Sequence, residues 1–585
     1  MEDMEEGLSS ASLWDVLRQE DVLQCCKANS LSLIQFLTET SRFEQLLDLV
    51  TTGLSLKQEE DDEEERRLRL VALQILLLCE EVSALQEPFF FRPEATLGKL
   101  FACLLGEVQQ QQGEAEERGS SANAQLAATF ASQVIIALAK GNVQKVGDYM
   151  QRHRELEAML YKLESEAVAA VIAKLLEEDQ WNHHEQTLLD EWLETSGLVR
   201  ALVTKFDPSN APAVHDHAAS LLLSIVEPSS GKMSELAHMQ SNGAASPRQI
   251  TGLWRQLLQE ENLVLLFQTM LGNIKEDDEE AVNNASSSSA CKHGLSVIIS
   301  LLADYNKRAP ENGGESPLIS VTLRWLPTLL RILTSSQGKS VPTTTGLVAR
   351  GLGFVRLHII KLLECLVEVE NPTVDEALFR PTVFPALLNL FLGYPWNNIL
   401  HHAVTSMILS VISSSSPTRQ SFTTILLKDY RLVDILLRLD NETERKKCGG
   451  TVGFLIKIAR RLEEVAASRP PVKQYLNEHT GWKAFVGGSF LLLKKEQDLM
   501  LGGGPPSRNF GQETYSSEDE GDYSSANGLK FSPIFAFPDT NSFFSNSFDM
   551  LPPDDAPASI PQLDPMADLS QPFFMEDSFF SFLCS

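Results

Sequence analysis

Positive charge is what this chain has least of. Its 585 residues carry 49 Lys and Arg against 79 Asp and Glu, a net charge of −30. Such a chain repels nucleic-acid phosphates and the anionic inner face of a membrane, so neither is expected as a direct partner. Long hydrophobic runs are also missing. No uninterrupted apolar stretch approaches the roughly 18 to 20 residues that span a bilayer, so membrane insertion is not expected. The acidic start, Met1 to Leu8, is unlike the positively charged leader of a secreted protein. The expected location is cytoplasmic, with the nucleus also open. The cysteines (Cys25, Cys26, Cys79, Cys103, Cys291, Cys365, Cys448 and Cys584) form no C-x-x-C pair and sit mostly inside apolar runs. They read as reduced core residues. Cys25 and Cys26 are adjacent, but helical neighbours point about 100° apart and are badly placed for a disulfide.

Motifs with known catalytic mechanics are absent too. There is no G-x-x-x-x-G-K-[ST] phosphate loop, no H-E-x-x-H zinc pair and no G-x-S-x-G nucleophile elbow. "GLGFV" at Gly351 lacks both the third glycine and the preceding strand of a dinucleotide site. Histidine is the remaining route to an enzyme. His183-His184, His215 with His217, and His401-His402 are candidates, but a helical metal site needs ligands at i and i+3 or i+4. None of these pairs has that spacing. They are expected to be exposed or capping residues, and no catalytic residue, metal or cofactor is predicted.

What the chain has in abundance is helical periodicity. Phe43, Leu46, Leu47 and Val50 recur at i, i+3, i+4 and i+7, and so do Val168, Val171, Ile172, Leu175 and Leu176. Strand signals are nearly absent. In "LAATFASQVIIALAK" the Ala and Ser positions would let neighbouring helices approach closely. Asp207-Pro208, Ser316-Pro317, Asn371-Pro372 and Pro381 punctuate the pattern, with Ser316 read as an N-cap. Apolar segments of 10 to 18 residues with short turns, continuing for about 480 residues, predict an all-α, irregular armadillo/HEAT-like solenoid over 13–495.

A flexible acidic start is expected at 1–12. Loops or insertions are expected near 57–67, 109–123, 227–246 and 276–290, with the charge run "KQEEDDEEERR" read as a solvated connector or first helical turn. From 496 to 585 the composition turns to Phe, Ser, Pro and Asp, which predicts a disordered acidic tail. Its exposed aromatics, as in "FFMEDSFFSF", suit a peptide ligand for a further regulatory partner. Ser516 and Ser517 precede Glu518-Asp519-Glu520 and would suit an acid-directed kinase.

"YPWNNILHHAVTSMILSVI" is the densest local signal. Leu400, Val404, Met407, Ile408 and Val411 mark one buried face of a helix from about Asn398 to Ile412. Asn397 is the expected N-cap and Trp396 an expected hydrophobic staple over the first turn. Tyr394, Trp396, Asn397, Asn398 and His401 at one helix entrance also read as a partner-binding edge.

This stretch resembles the Y-x-W-N-N-x-L-H segment of the SAPS family, the Sit-four-phosphatase-associated regulatory subunits of the type 6, type-2A-like serine/threonine phosphatase. "EDVLQCCKANSLSLIQFL" resembles that family's opening pattern, with Glu20, Asp21, Leu23, Gln24, Cys26, Lys27, Asn29, Leu33, Phe36 and Leu37 in step. "WLETSGLVRALVTKFDPS" is similar to its W-L helix and P-S turn. "GGTVGFLIKIAR" resembles a late segment through Gly450, Gly453, Leu455, Ile458 and Ala459, with Val452 and Lys457 departing from it. The resemblance implies a non-catalytic helical-repeat subunit that binds a phosphatase catalytic subunit. It adds Glu20, Asp21, Gln24 and Lys27 to the partner-binding candidates. The alternative reading is a solenoid adaptor for trafficking or nuclear transport that uses the Phe-acidic tail as ligand.

Overall fold

The computed structural model describes residues 11–52, 59–107, 119–177, 183–226, 252–272, 274–275, 278–308, 316–335, 340–342 and 348–498. Backbone contacts divide the chain between Glu496 and Gln497. The tail expected at 496–585, with Ser516, Ser517 and Cys584, therefore falls almost wholly outside the described residues, as do the start at 1–10 and the insertion at 227–246.

Seven helices stack in sequence as a spine: α1 (Gly119–Gly141), α2 (Glu166–Leu175), α3 (Pro212–Val226), α4 (Ser289–Arg308), α5 (Phe354–Glu368), α6 (Asn398–Ser413) and α7 (Val452–Ser468). Each packs on the next along the chain. Helices between them, including Val143–His153, His183–Thr195, Glu260–Leu271 and Pro317–Thr334, form a second layer whose members also touch their neighbours in order. Each repeat thus buries its apolar face against the repeats on either side, as the all-α solenoid reading requires. One continuous apolar core runs through all of it, from Leu13 to Leu493. The only strands among the described residues are a short antiparallel pair, Ser340–Pro342 with Val348–Arg350.

The ends of the helices follow the sequence. Asn371 accepts a hydrogen bond from the Thr373 amide (2.8 Å), and Asn441 caps Glu442–Cys448 through the Thr443 and Glu444 amides. Ser316 stands at the N-cap position before Pro317, but its side chain makes no capping bond. Proline at the first helical position already supplies the right φ and needs no donor satisfied. One expected loop is helical instead, and the charge run takes its expected alternative as a first helical turn. The charge run opens the helix Glu59–Leu77, and the 276–290 insertion folds into Glu279–Ala285 with Asp278 capping the Ala281 amide. Acidic residues at a helix start favour the positive end of the macrodipole, which polarity alone does not reveal.

Asn123–Gly141 within α1 is, by length and composition, apolar enough to cross a bilayer, although no unbroken apolar run is present; 56% of it is buried in the fold. This helix packs against Pro93–Leu104, Val143–His153 and α2. The described cysteines are free and buried, and burial pushes the thiols of Cys26, Cys79, Cys291 and Cys365 up to about 12. Such thiols are unreactive core groups.

Candidate partner-binding edge

Spine helices α2 to α7 run parallel, because contacts tie each N-terminus to the next one. Nδ1 of His217 in α3 meets the Leu163 carbonyl just before α2 (2.7 Å). His215 Nδ1 meets Ser289 Oγ at the start of α4 (2.7 Å), and its Nε2 meets the Asp207 carbonyl (2.9 Å). Lys292 Nζ lies 5.5 Å from the Phe354 ring centre at the start of α5, and the Arg356 guanidinium stands 6.0 Å from the Tyr394 ring before α6. The Gly450 amide donates to the Pro395 carbonyl (2.9 Å), joining α6 to α7. The starts of α2 to α7 therefore form one edge of the solenoid.

Of the candidate histidines, His402 is exposed as expected. His217 is half-buried, and His215 and His401 are buried against the edge, where exposed or capping rings were expected. His293 and His358 line it from inside as well. His215 is buried and bonds two chain segments together. Burial, assisted by Lys292, pushes His293 and His358 down to about 4, with Asp216 opposing the shift at His293 from 3.5 Å. The positive end of a helix also disfavours a cation. Among the described residues no group of three or more His, Cys, Asp or Glu is arranged to hold a metal.

The entrance to α6 is the most built part of the edge. Asn397 accepts from the Leu400 amide (3.1 Å), the expected N-cap, and the Asn397 amide donates to the Tyr394 carbonyl (3.0 Å). Trp396 is 79% exposed, and Ile399 on the first turn is 57% exposed. The indole does not staple its own helix. It lies on the glycine pair of the neighbouring hairpin, where a Cβ added at Gly449 would come 3.1 Å from the ring and one at Gly450 would come 3.7 Å from it. Gly449 carries φ +53°, a left-handed value open to glycine. A staple needs an apolar group at the fourth helical residue, and here that residue is His401, fully buried between Phe391 (4.9 Å) and Phe454 (5.5 Å). Burial lowers its pKa, opposed by the backbone of Tyr394 and Phe391. His401 is thus a core residue and is removed from the exposed partner-binding set.

Tyr394 is half-buried under Arg356, and Asn398 is exposed with Oδ1 beside Gly450. Glu20, Asp21, Gln24 and Lys27 are exposed as well, on and just before the helix Val22–Lys27, which packs against Glu59–Leu77. Phe354, Ile399, Lys292 and the Gly449 seat were missed in the sequence. Only Gly450 carried a signal, through its place in the late motif.

These features define an all-helical repeat protein that presents a shaped aromatic edge. The family model described as "SIT4 phosphatase-associated protein" (SAPS) matches residues 136–497, more than half of the chain. The chain belongs to the SAPS family. The Glu20–Leu37 resemblance lies outside the matched segment. Similar proteins include serine/threonine-protein phosphatase 6 regulatory subunit 1 of Homo sapiens, 25% identical over 84% of this chain and 57% of that protein. Regulatory subunit 3 of Gallus gallus is 23% identical over 77% and 51%, and regulatory subunit 2 of Mus musculus 22% over 70% and 42%. The chain spans between 42% and 57% of the length of these relatives.

Proposed function

We propose that this chain is a non-catalytic regulatory subunit of a type 6, type-2A-like serine/threonine phosphatase. Its helical-repeat body would hold the catalytic subunit and direct it to substrates or places. The observation that carries this reading is the SAPS match from the end of α1 through α7, joined by relatives named as phosphatase 6 regulatory subunits. Those names favour it over a trafficking or nuclear-transport adaptor.

The mechanism is scaffolding. Holding enzyme and substrate on one rigid body raises their effective concentration without any new chemistry. The net charge of −30 supports a protein partner over nucleic acid. We place the chain in the cytoplasm, with the nucleus also open. The Phe-rich 496–585 segment is the element we assign to further regulatory subunits. The reading assigns the chain no cofactor.

The test is capture of the full chain from its own cells, with identification of partners and a phosphatase assay on the eluate. A type 6 catalytic subunit with activity is the expected result, and its absence overturns the proposal. Trp396→Ala with Asn397→Ala removes the exposed ring and one cap, costing about 1 kcal/mol of stability. The captured phosphatase should fall roughly tenfold or more. A loss of capture no larger than the loss of folded protein would leave these residues a capping role alone.

A further inference from the structure

We infer that the Trp396 edge takes an acidic linear segment of the protein partner, with one aromatic or large aliphatic side chain seated beside the indole. The inference rests on the regulatory-subunit reading for the partner's identity and adds the chemistry by which it is held.

The apolar half of the site is preorganised. Trp396 and Ile399 are exposed on adjacent turns of one helix entrance, and Phe354, 65% exposed, stands on the same edge one repeat away. The indole rests on Gly449 and Gly450, and the Gly450 amide fixes the Trp396 peptide through the Pro395 carbonyl. A large ring held in place by the fold loses little entropy on binding, the usual property of an interface anchor.

Charge selects the occupant. The helix Glu442–Cys448 ends on this glycine pair and carries Arg445, Lys446 and Lys447 in its last turn. Lys446 pairs with Glu442 (2.9 Å) and Lys447 with the half-buried Glu444 (2.8 Å), both pairs at the surface. Exposed pairs of this kind are weak and exchange readily for another carboxylate. The first-turn amides of α6, at Asn398 and Ile399, have no intrahelical acceptor and add positive potential. Lys292 beside Phe354 extends it along the edge. In a chain of net charge −30, an acidic segment is repelled by most of the surface, so this cationic rim also sets where it can land.

The test pans a phage library of random peptides of about a dozen residues against the full chain, with the Trp396→Ala chain as counter-target. Enrichment of peptides rich in Asp and Glu around a Trp, Phe, Leu or Ile is expected. Their affinity should drop roughly tenfold in Lys446→Glu/Lys447→Glu and in Ile399→Ser, and fall steeply with salt. Unchanged thermal unfolding of these surface variants shows that the loss is not misfolding. Enrichment of basic or uncharged peptides, or of peptides that bind the Trp396→Ala chain equally, overturns the inference. Purified type 6 catalytic subunit is measured on the same variants. If it binds all of them like the wild type, the acidic-segment inference falls and the regulatory reading stands. If it fails to bind the wild type, the regulatory reading falls, whatever the peptides do.

Discussion

Gly449 shows how a single residue sets the edge. With φ +53° and ψ −128° it holds a backbone conformation that L side chains avoid, and any Cβ there also meets the Trp396 ring. Gly449→Ala should lower stability by about 1 to 3 kcal/mol, read as a lower unfolding midpoint. Adding Trp396→Ala should recover the part due to the clash and leave the part due to φ. The buried histidines make a second prediction. His293 and His358 titrate near 4 in the folded chain and near 6.5 when unfolded, so below pH 6.5 the unfolded state takes up more protons. Their contribution to stability is intact above that pH and is lost as pH falls toward 4, at up to about 1.4 kcal/mol per pH unit for each ring. Glu155 has the opposite sign. Burial, with Glu107, raises it to about 7, so its charge opposes folding at neutral pH and that cost is relieved as pH falls. His358→Gln should flatten the acid loss seen by thermal melts from pH 7 to 5, and Glu155→Gln should steepen it. At this scale the N-cap Asn397 was legible because capping is local. The glycine seat and the histidine burial were not, because both depend on segments about fifty or more residues away.

Among elements, the join between α5, Pro372–Leu378 and Pro417–Lys428 rests on one buried cation. Arg419 is fully buried and donates to Asp375 from Nε (2.9 Å to Oδ2) and Nη2 (2.8 Å to Oδ1), to the Val367 carbonyl (2.6 Å) and to Ser410 Oγ (3.0 Å). It ties the C-terminal end of α5 and the last turns of α6 to the two connecting helices. Asp375→Ala leaves the buried guanidinium only the long Glu370 contact (3.4 Å) and should cost about 3 to 5 kcal/mol in denaturant unfolding. Asp375→Ala with Arg419→Met should cost less than that single change, since no charge is left buried alone. Arg469 plays a related part at the same C-terminal end of α6, donating to the Ile412 (2.9 Å) and Ser413 (3.0 Å) carbonyls. A cation there suits the negative end of the helix. Neither arginine stood out in the sequence, where each reads as one more charge on a helix. Helix positions were legible from the apolar period and the prolines, while the acidic helix start at 279 was hidden because polar insertions and loops share a composition.

For the whole molecule, one core from Leu13 to Leu493 carries the described fold, and a chain ending at Asp498 should unfold at the same midpoint as the full one. Comparing the two by calorimetry checks this, and comparing their capture of the phosphatase shows whether the solenoid alone binds it. A clearly lower midpoint for the shorter chain would mean that 499–585 contributes to the fold. The all-helical class, the stacked-repeat architecture and the SAPS resemblance were all set by the sequence itself, because apolar period, turn residues and short motifs act over a few residues. The tertiary structure alone decided that the helix starts share one edge. It also decided that Trp396 is seated on a neighbouring hairpin and that His401 is core while Ile399 is surface. These depend on which repeats stack and in what register, and packing settles that register through contacts between distant residues.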